Sequence, residues 1–358
     1  MMTDQVWRSE EQAVFALRGL YQRYGYTPYK MSQFEEYDLY VRNKDFLVSD
    51  KIITFSGEGG KLMALKPDVT LSIVKNAPEA PGVVQKVYYS ENVYRDYREI
   101  MQAGLECVGD LTAYDIAEAA LLAVKSLALL GENYVLDISH MGLLAAVLDR
   151  FGFDARQRKQ AMACLKRKNT HDLKALCNGK EGAWETLQAV SACRGGEEAL
   201  ETLTPWLTGP EEKQALEELK DLLELLKENG FAKNVRLDLS VSNDLGYYSG
   251  VVFRGYLEGI PASVLSGGQY DKLPRKMGRK SRAIGFAIYV DLLQELNREE
   301  NLADVDTVIL HDGAVPLTEL TRAAEEAAKN GSVLVTTSLP AGRSWKNLKD
   351  LTKGGAAQ

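Results

Sequence analysis

Two strand-like segments separated by four residues constrain this fold more than any other feature. Residues 83–94 and 99–108 both carry the valine, isoleucine and tyrosine that favour strands. The junction between them, residues 95–98, reads Arg-Asp-Tyr-Arg and is too short to hold anything but a turn. We therefore expect the fold to be organised around a sheet that contains this hairpin.

The segments on either side of the hairpin predict more strands, with a helical block between them. Residues 143–229 show helical spacing alone, and residues 235–290 return to strand patterns. After residue 304 the order is strand, helix, strand, and residues 341–358 are expected to fray. The remaining predicted elements are helices over 9–24, 69–75 (capped by Asp68) and 114–130, an extended stretch over 26–40, and strands over 52–55, 61–65 and 134–138.

Composition excludes several classes of protein. The chain has 358 residues, enough for about two domains, and its 45% hydrophobic and 26% charged content is that of a globular protein. A net charge of −7 argues against a broad electrostatic grip on nucleic acid. There is no apolar run of about 18 residues and no signal-peptide pattern, so we expect a cytoplasmic protein without a membrane span.

Polar residues recur along the second strand of the hairpin. Arg98, Gln102 and Glu106 share parity, so their side chains can line one face of a sheet. Glu106 suits an ammonium group, Gln102 an amide or imidazole, and Arg95 a carboxylate through its bidentate fork. A binding site for a small polar molecule is one interpretation, and a solvated sheet face is the alternative.

Other positions are less specific. The two glycines in residues 266–271 (SGGQYD) indicate close backbone approach, for which packing is the more common cause. Tyr247 and Tyr248 are predicted to point to opposite faces of a strand. The three histidines and four cysteines show no metal-ligand spacing, so neither a metal nor a cofactor is expected, and the thiols are expected to be reduced.

The order of the segments resembles the catalytic core of a class II aminoacyl-tRNA synthetase, in particular histidyl-tRNA synthetase. The resemblance covers roughly residues 8–296, and five segments in the right order are far more specific than any one of them. The matching segments are 24–40 with Pro28 (first class II motif, the dimer interface in that family), 63–70 (MALKPDVT), 88–109 (second motif), 244–253 with 266–273 (histidine-specific segments), and 283–293 (third motif).

This resemblance implies an α+β fold with a mixed, mainly antiparallel sheet flanked by helices. The class II synthetase-like core would comprise residues 1–142 and 231–300. Residues 143–230 would be a helical insertion, and residues 301–358 a small C-terminal α/β segment. That last segment is shorter than the usual anticodon-binding domain of the synthetases.

The departures from the synthetase pattern concern ATP and tRNA. The loop that grips both in the second motif is missing, because Asp96 follows Arg95 directly and leads at once into Tyr97-Arg98-Glu99. The arginine that promotes adenylate formation is replaced by Asn243, which removes a cation aimed at developing phosphate charge. The third-motif arginine is also not evident in residues 287–291.

The chain retains residues of the amino-acid pocket and lacks residues that bind ATP and tRNA. In this combination it resembles the family of ATP phosphoribosyltransferase regulatory subunits. Such a subunit has no catalysis of its own. It assembles with a short-form catalytic subunit, which needs it for activity and for feedback control by histidine in the first step of histidine biosynthesis. The resemblance therefore implies three partners: that catalytic subunit, a second copy of this chain bound through the first-motif region, and L-histidine as effector.

The same resemblance implies a set of histidine-binding residues. Asp68 stands where the synthetase has a glutamate for the histidine ammonium, and Gln269 replaces an arginine of the synthetase segment. The predicted pocket residues are Asp68, Thr70, Arg95, Gln102, Glu106, Tyr247, Tyr248 and Tyr270. We expect a concave, polar-lipped pocket at the sheet surface.

Three alternatives stay open at this point. An active histidyl-tRNA synthetase would need an arginine at position 243 and an anticodon domain. A paralogue that adenylates another substrate would need the missing ATP-gripping loop. A sensor of uncharged tRNA would use the basic residues of 275–282, for which a solvated loop is the favoured interpretation.

Overall fold

The computed structural model of the chain describes residues 9–47, 49, 51–241, 246–298 and 303–352. It divides into two compact units, Met1–Leu296 and Asn297–Gln358. The helices are α1 (Ser9–Arg23), α2 (Tyr37–Arg42), α3 (Thr70–Asn76), α4 (Ala113–Leu130), α5 (Met141–Arg150), α6 (Ala155–Arg167), α7 (Thr170–Leu176), α8 (Ala183–Ala192), α9 (Glu197–Leu203), α10 (Pro210–Glu228), α11 (Lys272–Lys276) and α12 (Leu317–Ala328). The strands are β1 (Thr27–Pro28), β2 (Phe34–Glu36), β3 (Thr54–Ser56), β4 (Leu62–Leu65), β5 (Val84–Arg95), β6 (Arg98–Gly109), β7 (Tyr134–His140), β8 (Arg194–Gly195), β9 (Val235–Asp238), β10 (Val251–Leu257), β11 (Leu265–Gln269), β12 (Arg282–Tyr289), β13 (Val305–Leu310), β14 (Val333–Thr336) and β15 (Trp345–Asp350).

The first unit is built on the mixed, mainly antiparallel sheet that the sequence predicted. Its strand order is β1-β5-β6-β12-β11-β10-β7-β9-β8. Only the β1–β5 and β7–β9 pairs within it are parallel. Helices α1 and α4 cover one face through a core that includes Tyr21, Leu105 and Leu122. Helix α3 packs on the opposite face, in a second core with Val87 and Val108.

The predicted hairpin is confirmed as the pair β5–β6. The two strands are in register from Val84 opposite Gly109 to Arg95 opposite Arg98. Asp96 and Tyr97 form the connection with φ angles of 51° and 62°. A two-residue connection with both residues left-handed matches the twist of the flanking strands, although glycine is the preferred residue for this conformation.

Local sequence signals set the ends of these helices. Gly25 follows α1 with a φ of 80° and donates its N–H to Gln22 O at 3.0 Å. Thr112 and Asp115 form a reciprocal capping box at the start of α4. Asp68 Oδ1 accepts the Leu71 N–H at 2.9 Å, so this carboxylate caps the first turn of α3 as predicted.

The stretch 26–40 is extended only in its first part. Strands β1 and β2 are present, but the chain turns into α2 at Tyr37, so the expectation of an extended segment to residue 40 is wrong there. Tyr40 is fully buried, and an Asp38–Arg42 ion pair lies one turn apart on the exposed side. This amphipathic turn follows β2, which pairs with β4 in a separate sheet of order β2-β4-β3.

Residues 141–228 fold into helices α5 to α10, with one exception to the predicted all-helical pattern. Strand β8 lies between α8 and α9 and pairs antiparallel with β9. A strand of two residues has no alternation to detect, which explains why the sequence did not reveal it. The domain boundaries at 142–143 and 230–231 stay a prediction. No helix in the described part of the chain is long and apolar enough to cross a membrane.

The second unit contains the predicted strand, helix and strand, followed by one strand that was not predicted. Its sheet has the order β14-β13-β15 with parallel pairing, and α12 contributes Leu320 and Ala323 to a small core with Ile309. The expected fraying of 341–358 is wrong over β15. That strand has mostly exposed polar residues at the sheet edge, so it lacks an apolar pattern.

Candidate functional site

A cavity of about 420 Å³ opens on the face of the large sheet that carries α3. Asp45, Phe46 and Leu47 contribute to one part of its wall, and Ser263 to another. Every residue predicted for the histidine pocket lines this cavity: Asp68, Thr70, Arg95, Gln102, Glu106, Tyr247, Tyr248 and Tyr270. The sequence therefore located the residues that meet at this site, while their role in binding histidine stays a prediction.

Small residues on the central strands create the space. One row across the sheet runs from Tyr89 on β5 through Gly104, Ala287 and Ser266 to Arg254 on β10. The side chains at both ends of the row are large and those between them are small. The sheet surface is therefore lowest in the middle of the row, where Ala287 and Ser266 form the floor of the cavity. This row gives a physical reason for small residues in the middle of buried strands.

Glu106 lies on β6 beside this floor. A Cβ atom at Gly285, its partner on β12, would overlap the Glu106 carboxyl group. Thr70 Oγ1 donates to Glu106 Oε1 at 2.6 Å, and the Tyr270 hydroxyl donates to Oε2. Burial disfavours the ionised form more than these two hydrogen bonds favour it, and it raises the pKa of Glu106 from 4.5 to about 8.

Asp68 and Arg95 form a second polar pair on the wall. Arg95 Nη2 lies 3.4 Å from Asp68 Oδ2, and Arg95 Nε donates to Pro67 O at 2.6 Å. Burial raises the pKa of Asp68, and the nearby guanidinium opposes that shift. Two of the Arg95 donor groups are thus committed inside the protein, which limits the predicted use of its fork for a ligand carboxylate.

Gln102 supplies an unused donor. Its side chain is buried and lines the cavity, and its Nε2 atom has no hydrogen-bond partner within the described residues. A buried amide donor without a partner is costly, so this group is a candidate contact for a ligand acceptor. Arg98, which was grouped with Gln102 and Glu106 by parity, is exposed at the end of the hairpin and is not among the described residues that line the cavity.

Aromatic rings enclose the site. The Tyr247 ring centroid lies 4.6 Å from that of Tyr248, 5.7 Å from Tyr270 and 5.5 Å from Phe46. Tyr247 and Tyr248 both line the cavity, so the prediction that they point to opposite faces is wrong. The reason is local: β10 begins at Val251, and the two tyrosines lie before the strand, where alternation does not apply.

Several lining residues were not predicted, although some left a signal in the sequence. Arg254 is a charge inside the otherwise apolar run VVFRGYL, which indicates a special environment. Tyr89 shares strand parity with Val87 and Glu91, which gave no functional hint. Phe46 comes from a segment that gave no indication of a site, and Tyr289 lies in the third-motif segment but was not predicted as a pocket residue.

The two substitutions noted in the histidine-specific segments have different outcomes. Gln269 is buried, and its Nε2 donates to Asp271 Oδ2 at 2.6 Å, so this side chain serves the internal packing of β11. Asn243 lies outside the described residues, so the prediction about the lost arginine has no structural counterpart.

Comparison with known proteins defines the class first. Residues 2–293 match the family model described as Histidyl-tRNA synthetase. Since this match covers well over half of the chain, the chain belongs to the histidyl-tRNA synthetase family. A crystal structure described as an ATP phosphoribosyltransferase regulatory subunit/histidyl-tRNA synthetase from Bacillus halodurans has the same fold, with a TM-score of 0.77 at 22% identity over 98% of this chain and 96% of that one.

Within this class, curated relatives at 24–29% identity are named as regulatory subunits. The ATP phosphoribosyltransferase regulatory subunit of Clostridium kluyveri is 28% identical over 307 residues, which cover 80% of this chain and 78% of that protein. A chain of the ATP phosphoribosyl transferase (HisG:HisZ) complex from Thermotoga maritima has a TM-score of 0.62 at 20% identity, over 78% of this chain and 96% of its own length. The predicted resemblance to a regulatory rather than a catalytic group is therefore confirmed.

Proposed function

We propose that this chain is the regulatory subunit of an ATP phosphoribosyltransferase, required by a short-form catalytic subunit in the cytoplasm and responsible for inhibition by L-histidine. The observation that carries this proposal is the convergence of Glu106, Gln102 and Asp68 in one cavity beneath a two-residue hairpin turn. The relatives named as regulatory subunits and the complex from Thermotoga maritima support the same role.

The cavity offers the contacts that an amino acid with a polar ring needs. The carboxyl groups of Asp68 and Glu106 are suited to cationic nitrogen, and the Gln102 amide can donate to a ring nitrogen or a carboxylate. Tyr247 and Tyr270 supply flat apolar surface beside them. Histidine combines an ammonium group, an imidazole and a carboxylate, so it fits this set of groups.

The hairpin turn argues against adenylation. Only Asp96 and Tyr97 join β5 to β6, which leaves no loop to hold a triphosphate or a tRNA end above the cavity. This supports a binding protein rather than an active synthetase or a related adenylating enzyme.

The basic run 275–282 also has structural roles that weaken the tRNA-sensor alternative. Lys276 lies 2.7 Å from Asp45, Arg279 donates to the carbonyls of Lys75 and Ala77, and Arg282 donates to Leu111 O at 3.0 Å. These contacts fix α11, the start of β12 and the residues between them against the end of α3 and neighbouring loops. The run thus has a structural role, which differs from the solvated loop that the sequence favoured.

Reconstitution tests the proposed function. ATP phosphoribosyl transfer by a short-form catalytic subunit from the same genome is measured with and without this chain, over a range of histidine concentrations. Activity should need the chain and fall as histidine rises. The double variant Gln102→Ala, Glu106→Ala should still activate but should need at least about 30-fold more histidine for inhibition, since two buried contacts are worth about 2 kcal/mol or more.

Two results would contradict the proposal. Activity that is the same with and without the chain would remove the regulatory role. Unchanged histidine inhibition in the double variant would place the effector elsewhere. The coupling must also be reciprocal. Histidine should disfavour the active state of the catalytic subunit by the same factor by which that state lowers the affinity for histidine.

We also propose that the chain pairs with a second copy through the first-motif region. Exposed apolar side chains cluster on the sheet β2-β4-β3: Phe34 is 47% exposed, Phe55 39% and Leu62 48%, and the two phenylalanine rings lie 5.6 Å apart. Exposed apolar residues that are grouped in this way are typical of protein interfaces. A two-fold pair would bury this surface on both copies at once.

A further inference from the structure

Arg254 occupies an unusual position for a charged residue. It lies in the middle of β10, between Ser266 on β11 and Asp137 on β7, with buried residues on either side of it along the strand. Asp137 in turn receives a bidentate pair from Arg236, with Nε–Oδ1 and Nη2–Oδ2 distances of 2.7 and 2.8 Å. The Arg254 side chain lines the same cavity as Glu106.

The wall near Arg254 consists of donors. Ser263 and Ser266 line the cavity there, and the Ser266 and Tyr289 hydroxyl oxygens lie 3.1 Å apart. A guanidinium with several hydroxyl groups is a typical set of partners for an oxyanion, because every member can donate. The carboxyl group of Glu106 lies three strands away on β6, so Arg254 and Glu106 lie on different sides of the cavity.

The span suits a small zwitterion. Three strand spacings of about 4.8 Å place the backbones of β6 and β10 about 14 Å apart. The side chains of Glu106 and Arg254 both reach into that gap over the low floor formed by Ala287 and Ser266. The gap between the two side chains is therefore shorter than the backbone separation of about 14 Å.

We propose that Arg254, together with Ser263 and Ser266, binds the carboxylate of the ligand whose cationic groups lie against Glu106 and Asp68. Arg95 lies on the opposite side of the cavity from Ser263 and Ser266, where its Nε and Nη2 groups contact Pro67 O and Asp68. This inference rests on the proposed binding of histidine and adds the residue that selects for an amino acid over the corresponding amine.

A ligand pair tests this subsite. Binding of L-histidine and of histamine, which lacks the carboxylate, is measured by calorimetry for the full-length wild type and for Arg254→Gln, Ser266→Ala and Arg275→Gln. The wild type should bind histidine at least about tenfold more tightly than histamine, since a charge-assisted hydrogen bond is lost with the carboxylate. Arg254→Gln should reduce that ratio towards one by weakening histidine alone, and Ser266→Ala should reduce it in part.

The controls separate the possible failures. Arg275→Gln removes an exposed cation on α11 that does not belong to the described lining of the cavity, and it should keep the wild-type ratio. If the wild type binds neither compound, the proposed histidine site fails. If the wild type binds histidine and Arg254→Gln or, should that variant not fold, Ser266→Ala keeps the full ratio, the subsite is overturned while the histidine site stands.

Discussion

Glu106 determines much of the chemistry of the cavity at the scale of single residues. Its carboxyl group is buried, and its pKa rises from 4.5 to about 8. Near neutral pH the unliganded protein therefore holds this group mostly protonated. A cationic ligand would favour the ionised form, so binding should be coupled to release of a proton from Glu106.

The raised pKa predicts how stability depends on pH. Between about pH 4.5 and 8 the folded state holds the Glu106 proton that the unfolded state has lost, so the free energy of unfolding should fall as pH rises through this range. The glutamine in Glu106→Gln cannot ionise, so the free energy of unfolding should depend less on pH. The gain in stability over the wild type should be largest near pH 8. Urea unfolding at pH 5.5, 7 and 8.5 measures this.

An exposed carboxyl group provides the control for this experiment. Glu58→Gln, at an exposed position, should leave the pH dependence of the wild type unchanged. A Glu106→Gln curve as steep as that of the wild type would mean that Glu106 is ionised in the folded protein throughout the range.

At this scale, strand alternation located some site residues and failed for others. Gln102 and Glu106 were placed on one face correctly, because β6 is regular at both positions. The two tyrosines were misplaced because they precede their strand. Arg254 was overlooked because its significance depends on its neighbours in register, Ser266 and Asp137, which are distant in sequence.

At the scale of elements, sequence signals worked where they are local and strong. The hairpin, α1 and α4 were predicted within about one residue, since each has a clear period and a turn or cap at its end. Strands β8 and β15 were not predicted, because one has two residues and the other has a mostly exposed, polar surface. Their pairing is decided by neighbouring strands rather than by their own sequence.

The hairpin turn carries backbone strain that can be tested. Tyr97 has a φ of 62° and is 78% exposed. Its ring therefore makes few contacts that could offset the energetic cost of a left-handed conformation. Tyr97→Gly creates an Asp-Gly turn, the preferred sequence for this geometry, and should raise the free energy of unfolding by about 1 kcal/mol. Chemical denaturation measures the change.

A second substitution at the same position separates strain from the loss of the ring. Tyr97→Ala also removes the aromatic side chain but keeps the Cβ atom, so it should give no comparable gain. Equal stabilisation by alanine and glycine would show that the exposed ring, rather than the left-handed backbone, is the unfavourable feature.

At the scale of the whole molecule, the order of segments was more informative than any single motif. The core sheet is assembled from strands on both sides of the helical block, since β7 pairs with β9 and β10 across about 100 residues of intervening chain. Such long-range pairing cannot be read from local periodicity, and it became predictable only through the resemblance to a known family. Self-association is a property of the same scale, because it depends on which surfaces the folded chain leaves exposed.

The proposed pairing through β2-β4-β3 predicts a change in molecular mass. The wild type should be a dimer at micromolar concentration in size-exclusion chromatography with light scattering, and Phe34→Glu with Phe55→Glu should shift it to the monomer, because charges in an apolar interface are left without partners. Leu317→Glu replaces another exposed apolar residue, one that lies on α12, and should leave the dimer intact. A double variant that stays dimeric would place the interface elsewhere on the chain, and a monomeric wild type would remove the proposed pairing altogether.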